Sequence, residues 1–286
     1  MKNYGIPYKG SKNKIAEYVV DNMPEAENFY DLFCGGGAIT HCAILKNKYK
    51  NYIMNDTNHL MYNALQRAFN GEFKNEDRWI SKDEFDKIKS KDLYASVCFS
   101  FGNNCHCYAY SAINEAFKKA LHYAICFRNY SLMDDYGIDL RMIDNIKDRK
   151  QRRLEADKVI KKIKNRKTYL ESLERLERLQ SLESLEILEG RCNTQCFNKS
   201  YDEIDIKENS VIYCDIPYIR TKTYFNEEFD YDKFYTWCEK QQNPIFISEY
   251  WMPEDRFLCI ASKNKISTMS SSNSKNTVEK LFVPIK

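Results

Sequence analysis

The chain has 286 residues, 43% of them hydrophobic, enough to bury a sizeable core. Its formal net charge is only +3, so overall charge forces no nucleic-acid partner, and charge must be read locally. No apolar run approaches the ~18 residues of a membrane span, and the polar start Met1–Gly10 lacks the apolar core of a secretory signal.

The first 70 residues or so alternate between two patterns. Lys12–Asn22 reads as a helix, and the apolar run "NFYDLFC" (Asn28–Cys34), which ends in glycines, as a buried strand. A helix follows in "AITHCAILKNKY", a strand in "NYIMND", and a helix in "HLMYNALQRAFNG" that stops at Gly71. Strand, helix, strand, helix predicts a parallel sheet. From about Glu76 to Gly190 no parallel-strand unit can be recognised. "SAINEAFKKALHYAICFRNYSLM" is strongly helical and "DRKQRRLEADKVIKKIKNRK" is basic and helical. Leucines then recur at 170, 173, 176, 179, 182, 185 and 188. A period of three would spiral around an α-helix of ~3.6 residues per turn. The segment is therefore either buried on several sides or wound more tightly, and reads as a structural connector. Alternation resumes after about Thr194. "NSVIYCDI" (Asn209–Ile216) reads as a strand, "YDKFYTWCEKQQ" as a helix, and "NPIFISEY", "RFLCIAS" and "EKLFVPI" as strands. The expected organisation is one α/β domain built from residues 1–75 and 194–286, interrupted by a helical insertion at 76–193.

Two turns carry candidate chemistry. In "DLFCGGGAIT", Gly35, Gly36 and Gly37 join a strand to a helix, where glycines permit a sharp turn and close approach of a ligand. Asp56 lies 19 residues beyond Gly37, near the spacing at which an acid holds ribose hydroxyls. Thr40 replaces the third glycine of a dinucleotide fingerprint, so an adenosyl ligand fits better than a dinucleotide; an ordinary strand–helix turn is the alternative. The second turn is "DIPY". A strand ending there sets Asp215 at the carboxyl edge of the sheet, where open α/β sheets bind ligands. Pro217 disfavours helical geometry at Ile216, so the Ile216 carbonyl can point outward beside Asp215. Two adjacent acceptors suit an exocyclic amino group, and Tyr218 offers a face on which a base can stack. An ordinary surface aspartate is again the alternative.

In this order, the two turns resemble the Dam-type (alpha-class) DNA adenine-N6 methyltransferases, which use S-adenosylmethionine. The resemblance covers most of the chain outside the insertion. "PYKGSKNKI" resembles that family's N-terminal motif, "DLFCGGGAI" its Phe-x-Gly-x-Gly motif, "MNDTN" its Asn-Asp after the second strand, and "DIPY" its catalytic Asp-Pro-Pro-Tyr. It implies a Rossmann-like methyltransferase sheet with a mainly helical target-recognition insertion, and methyl transfer to N6 of an adenine flipped from duplex DNA. Tyr8, Lys12, Asp31, Phe33, Gly35, Gly37, Asp56 and Asp215 would form the methyl-donor pocket. Asp215, Ile216, Pro217 and Tyr218 would hold the base. Ile216 departs from the motif's first proline, but a backbone carbonyl carries the role at that position. "DLFCGGG" also resembles a motif of cytosine-C5 methyltransferases, yet Tyr218 stands after Pro217 where covalent C5 chemistry needs a thiol. Methylation of another planar amino group, or a catalytically dead DNA-binding regulator, are the competing readings.

For DNA contact the candidates are Arg149, Lys150, Arg152, Arg153, Lys158, Lys161, Lys162, Lys164, Arg166 and Lys167 on the basic stretch, facing phosphates. Asn103, Asn104 and Tyr108 in "FGNNCHCYAY" suit base edges, and Lys222 and Tyr224 in "IRTKTY" could close over the base. The 11 cysteines are expected to be reduced, in a cytoplasmic protein from a restriction–modification or phage-associated setting. Neither Cys105-His106-Cys107 nor Cys192/Cys196 has zinc-knuckle spacing, so no metal is expected. Double-stranded DNA is the expected partner; no membrane association or obligate protein partner is evident.

Overall fold

The computed structural model describes residues 4–6, 10–73, 76–101, 105–163, 193–218, 229–266 and 276–285. The chain falls into two compact units, one drawn from Met1–Ile6, Gly10–Asn70 and Ile187–Lys286, the other from Pro7–Lys9 and Gly71–Glu186. The strands are β1 (Asn28–Asp31), β2 (Asn51–Asn55), β3 (Asn193–Phe197), β4 (Ser210–Cys214), β5 (Ile245–Glu249), β6 (Phe257–Ile266) and β7 (Asn276–Pro284). The described α-helices are α1 (Ala16–Asp21), α2 (Ala38–Leu45), α3 (His59–Phe69), α4 (Lys82–Ile88), α5 (Leu93–Cys98), α6 (Ala112–Phe127), α7 (Ser131–Asp134), α8 (Arg149–Ile163) and α9 (Tyr231–Lys240).

In the first unit the strands form one sheet in the order β3-β2-β1-β4-β5-β7-β6. β1 pairs in parallel with β2 and β4, β2 with β3, and β4 with β5. β7 runs antiparallel between β5 and β6. Every residue of β1, β4 and β5 is buried, which is why these strands read as continuous apolar runs rather than alternating ones. The chain leaves β1 toward β2 on one side and meets β4 on the other. This is the topological switch point of a Rossmann-like α/β sheet, and ligands bind outside the carboxyl ends of such strands.

Packing follows from the helix faces. On α9, Asp230 accepts from the Lys233 N–H as N-cap, worth about 1 kcal/mol. The helix buries Phe234, Tyr235 and Cys238 among Ile212, Cys214 and Ile247. Burying a side chain such as Phe234 contributes about 1.5–3 kcal/mol. α3 is capped by Asn58 and buries Met61, Ala64, Leu65 and Ala68 on one face. The helix predicted over Lys12–Asn22 begins as a 3-10 turn (Asn13–Ile15) and continues as α1. Sequence reading missed β3: Asn-Thr-Gln-Cys-Phe is polar, only partly buried at the sheet edge, and gives no alternating signal.

The second unit is helical where described. α6, α7 and α8 pack around Phe117, Leu121, Ile125, Met133, Leu140, Ala156 and Ile160. The leucine repeat lies outside the described residues. Among the described residues no helix is long and apolar enough to cross a membrane. The described cysteines are free, and Cys34, Cys42, Cys98, Cys214 and Cys238 are buried.

Candidate active site

The carboxyl ends of β1, β2 and β4 deliver three acids to one edge of the sheet. Asp31 is the last residue of β1, Asp56 follows β2, and Asp215 follows β4. Between them the chain turns at Gly35 (φ 48°) and Gly37 (φ 71°), both left-handed. That conformation costs an L side chain roughly 1–2 kcal/mol, so glycine suits both positions. A Cβ on Gly37 would also lie 2.6 Å from Met54 Cε. Asp56 fixes the turn from outside: Oδ2 accepts from the Gly35 N–H at 2.7 Å and Oδ1 from the Asn58 N–H at 2.8 Å. Phe33 stacks on Tyr201, with ring centroids 5.5 Å apart.

The N-terminal segment closes against the same turn. Ile6 N–H donates to Gly36 O at 2.7 Å, and Gly5 N–H to His41 Nδ1 at 2.9 Å. A Cβ at Gly5 would meet Gly36 O at 2.5 Å. Burial pushes His41 down to about 4, consistent with a neutral ring accepting that bond. Sequence reading passed over Gly5, because an isolated glycine near a terminus carries no pattern.

Asp31 is 1% exposed. Its Oδ2 accepts from the Thr40 hydroxyl at 2.7 Å, and its Oδ1 has no hydrogen-bond partner among the described residues. Burial raises its pKa to about 7; the Thr40 bond opposes this, and the charges of Asp215 and Asp56 add to it. Asp56 is also raised, by burial. A sheet edge with clustered carboxylates and an orphaned buried oxygen suits a cation.

The DIPY turn is held by a ring of charges. Lys12 Nζ lies 2.8 Å from Asp215 Oδ1 and 3.5 Å from Glu279 Oε1. The same ammonium sits 4.6 Å from the centroid of the Tyr218 ring. Tyr218 in turn donates its hydroxyl to Glu279 Oε1. Burial alone would push the Lys12 ammonium down, but the charges of Asp215 and Glu279 outweigh it and the pKa is raised. Burial, with Asp215 and Glu279, holds the Tyr218 hydroxyl well above its ordinary range. The Tyr218 ring meets Tyr250 edge-on, centroids 4.5 Å apart. The Pro217 carbonyl accepts from the Tyr231 hydroxyl at 2.8 Å, tying the turn to α9. Ile216 is buried in the sheet core. Lys12 and Asp215, both expected at the methyl donor, lie side by side at the DIPY turn. Glu279 and Tyr250 escaped sequence reading because nothing but the sheet pairing brings β7 and the end of β5 to this turn.

Several expected DNA contacts are committed elsewhere. Arg152 is buried and donates to the carbonyls of Ile125 (2.7 Å), Ile146 (3.1 Å) and Lys147 (3.1 Å). Arg153, equally buried, pairs with Asp157 at 3.0 Å, and Arg149 pairs with Asp77. All three guanidiniums thus engage carbonyls or acids of their own unit. Lys158, Lys161 and Lys162 are exposed on α8. The Tyr108 hydroxyl donates to Ile80 O at 2.7 Å. Tyr8, Asn103, Asn104, Lys164, Arg166, Lys167, Lys222, Tyr224 and the side chain of Lys150 lie outside the described residues.

Residues 8–249 match the family model for D12 class N6 adenine-specific DNA methyltransferases. Among curated protein sequences none matches significantly. Solved structures that align include the rRNA methyltransferase aviRa from Streptomyces viridochromogenes, at 9% identity and a TM-score of 0.34, covering 97% of this chain and 86% of that one.

Proposed function

The chain belongs to the D12 class N6 adenine-specific DNA methyltransferases, and we propose that it takes its methyl group from S-adenosylmethionine and acts on an adenine flipped out of duplex DNA. The single observation that carries this reading is the convergence of Asp31, Asp56 and the DIPY turn on one sheet edge around a left-handed glycine turn. S-adenosylmethionine bears a sulfonium and an ammonium, and the orphaned Asp31 Oδ1 among neighbouring carboxylates fits such a cationic group. Asp56, already bonded to the Gly35 N–H, would accept from ribose hydroxyls as well. When bound, the cofactor supplies a methyl group activated by positive sulfur.

The chain's own residues then do three things. The Asp215 carboxylate and the Ile216 carbonyl accept hydrogen bonds from the target N6, turning its lone pair toward the donor. The Tyr218 ring stacks on the base and fixes its plane. As the nitrogen gains the methyl it sheds one proton, which Asp215 accepts. Such catalysis is mainly positioning and preorganised electrostatics. Flipping is required because the amino group of a paired adenine is engaged inside the stack.

The test is transfer of tritiated methyl from S-adenosylmethionine to unmethylated duplex DNA, followed by digestion to nucleosides. Label in N6-methyldeoxyadenosine is expected. Label confined to cytosine products, to RNA or to protein would overturn the reading.

A further inference from the structure

The DIPY turn presents a difficulty. Asp215 must accept from the target amino group, yet its Oδ1 lies 2.8 Å from Lys12 Nζ. An ammonium with Asp215 as its only anion would compete with the substrate for that oxygen. Glu279 changes the balance. Its side chain is 2% exposed, on β7, and its Oε1 lies 3.5 Å from the same ammonium. The same oxygen accepts the Tyr218 hydroxyl. One buried carboxylate therefore touches both the cation on Asp215 and the aromatic ring at the other end of the turn. Tyr250, directly after β5, meets that ring edge-on, centroids 4.5 Å apart. The strand pairing sets this geometry: Lys280, next to Glu279, registers with Glu249, next to Tyr250.

We infer that Glu279 is a positioning residue for methyl transfer. It is the second anion that lets Lys12 share Asp215 with the incoming amino group, and the acceptor that fixes the Tyr218 ring for stacking. The inference rests on the proposed roles of Asp215 and Tyr218. It assigns Glu279 no contact with the substrate, so its loss should slow the chemical step more than binding.

The test compares wild type, Glu279→Gln and Glu279→Asp on unmethylated duplex DNA with tritiated S-adenosylmethionine. Gln keeps the shape and an acceptor for Tyr218 but removes the charge. For Glu279→Gln, kcat is expected to fall by about tenfold or more while KM for both substrates moves by less than about threefold. Glu279→Asp, which restores the charge, is expected to recover part of that rate. A kcat within about twofold of wild type overturns the inference, as does a loss carried wholly by KM. If Glu279→Gln fails to fold, as judged by thermal melting, Tyr218→Phe decides. It removes only the hydroxyl that Glu279 holds, and a several-fold fall in kcat is expected; an unchanged kcat overturns the inference. Inactivity of the wild type toward adenine in DNA would instead overturn the functional reading itself.

Discussion

The two units treat buried charge in opposite ways. In the helical unit the buried arginines bond at home: Arg152 donates to three carbonyls and Arg153 closes on Asp157 through its Nε. At the sheet edge charge is left unbalanced. Asp31 keeps an orphaned oxygen and a pKa raised to about 7, and one lysine serves both Asp215 and Glu279. The first arrangement is what stability asks for, since unpaired buried polar groups cost free energy. The second is what a binding and catalytic site retains, because its groups are kept for a ligand.

Mutations should break that contrast in different assays. Tyr218→Ala removes a stacking surface worth about 1–3 kcal/mol, so methylation should fall by up to about 10²-fold. Its melting temperature should fall only modestly, by the loss of the Glu279 hydrogen bond and the Tyr250 contact, and loss of activity no larger than the loss of stability would put Tyr218 on the structural side instead. Arg152→Ala should do the reverse. Leaving buried carbonyls unsatisfied costs about 1–3 kcal/mol, visible in denaturant unfolding. The salt dependence of DNA binding should stay unchanged; a shallower salt slope would return Arg152 to the phosphates.

The pH dependence of cofactor binding probes Asp31. Its carboxyl is raised to about 7, so in the free protein the neutral form predominates only below about pH 7. Its contribution to stability is present below about pH 4 and is lost as pH rises through about 7. A cationic ligand needs the ionised form. Affinity for S-adenosylmethionine, read by calorimetry, should therefore be flat above about pH 7 and fall about tenfold per unit below it. Asp31→Asn should bind more weakly and lose that slope; an unchanged slope would remove Asp31 from the pocket. The smallest effect is expected at Lys158, exposed on α8. Lys158→Ala should lower the slope of log affinity against log salt by about 1 if the lysine meets a phosphate.

The same contrast explains what could be read from sequence. The sheet strands announced themselves as apolar runs, and the glycine and DIPY turns sit where those runs end. Positions set by backbone geometry and strand ends were therefore legible in the sequence. Which side chains of the α8 charge run point inward was not legible, because an arginine's direction depends on which helix face packs inward, and α8 buries Arg152 and Arg153 along with Ala156 and Ile160. β3 was invisible because an edge strand of polar residues has no period. Glu279 was invisible because only long-range strand pairing brings it to Tyr218.

The central claim is that the turn from Asp215 to Tyr218 performs the chemistry while the surrounding sheet holds it. The most direct test is a single-turnover comparison of wild type with Asp215→Ala on duplex DNA, with melting temperature and S-adenosylmethionine binding measured on the same samples. The account predicts a folded variant whose methyl transfer to adenine N6 falls by about 10²–10³-fold or more. A folded Asp215→Ala protein that methylates adenine at close to the wild-type rate would contradict it.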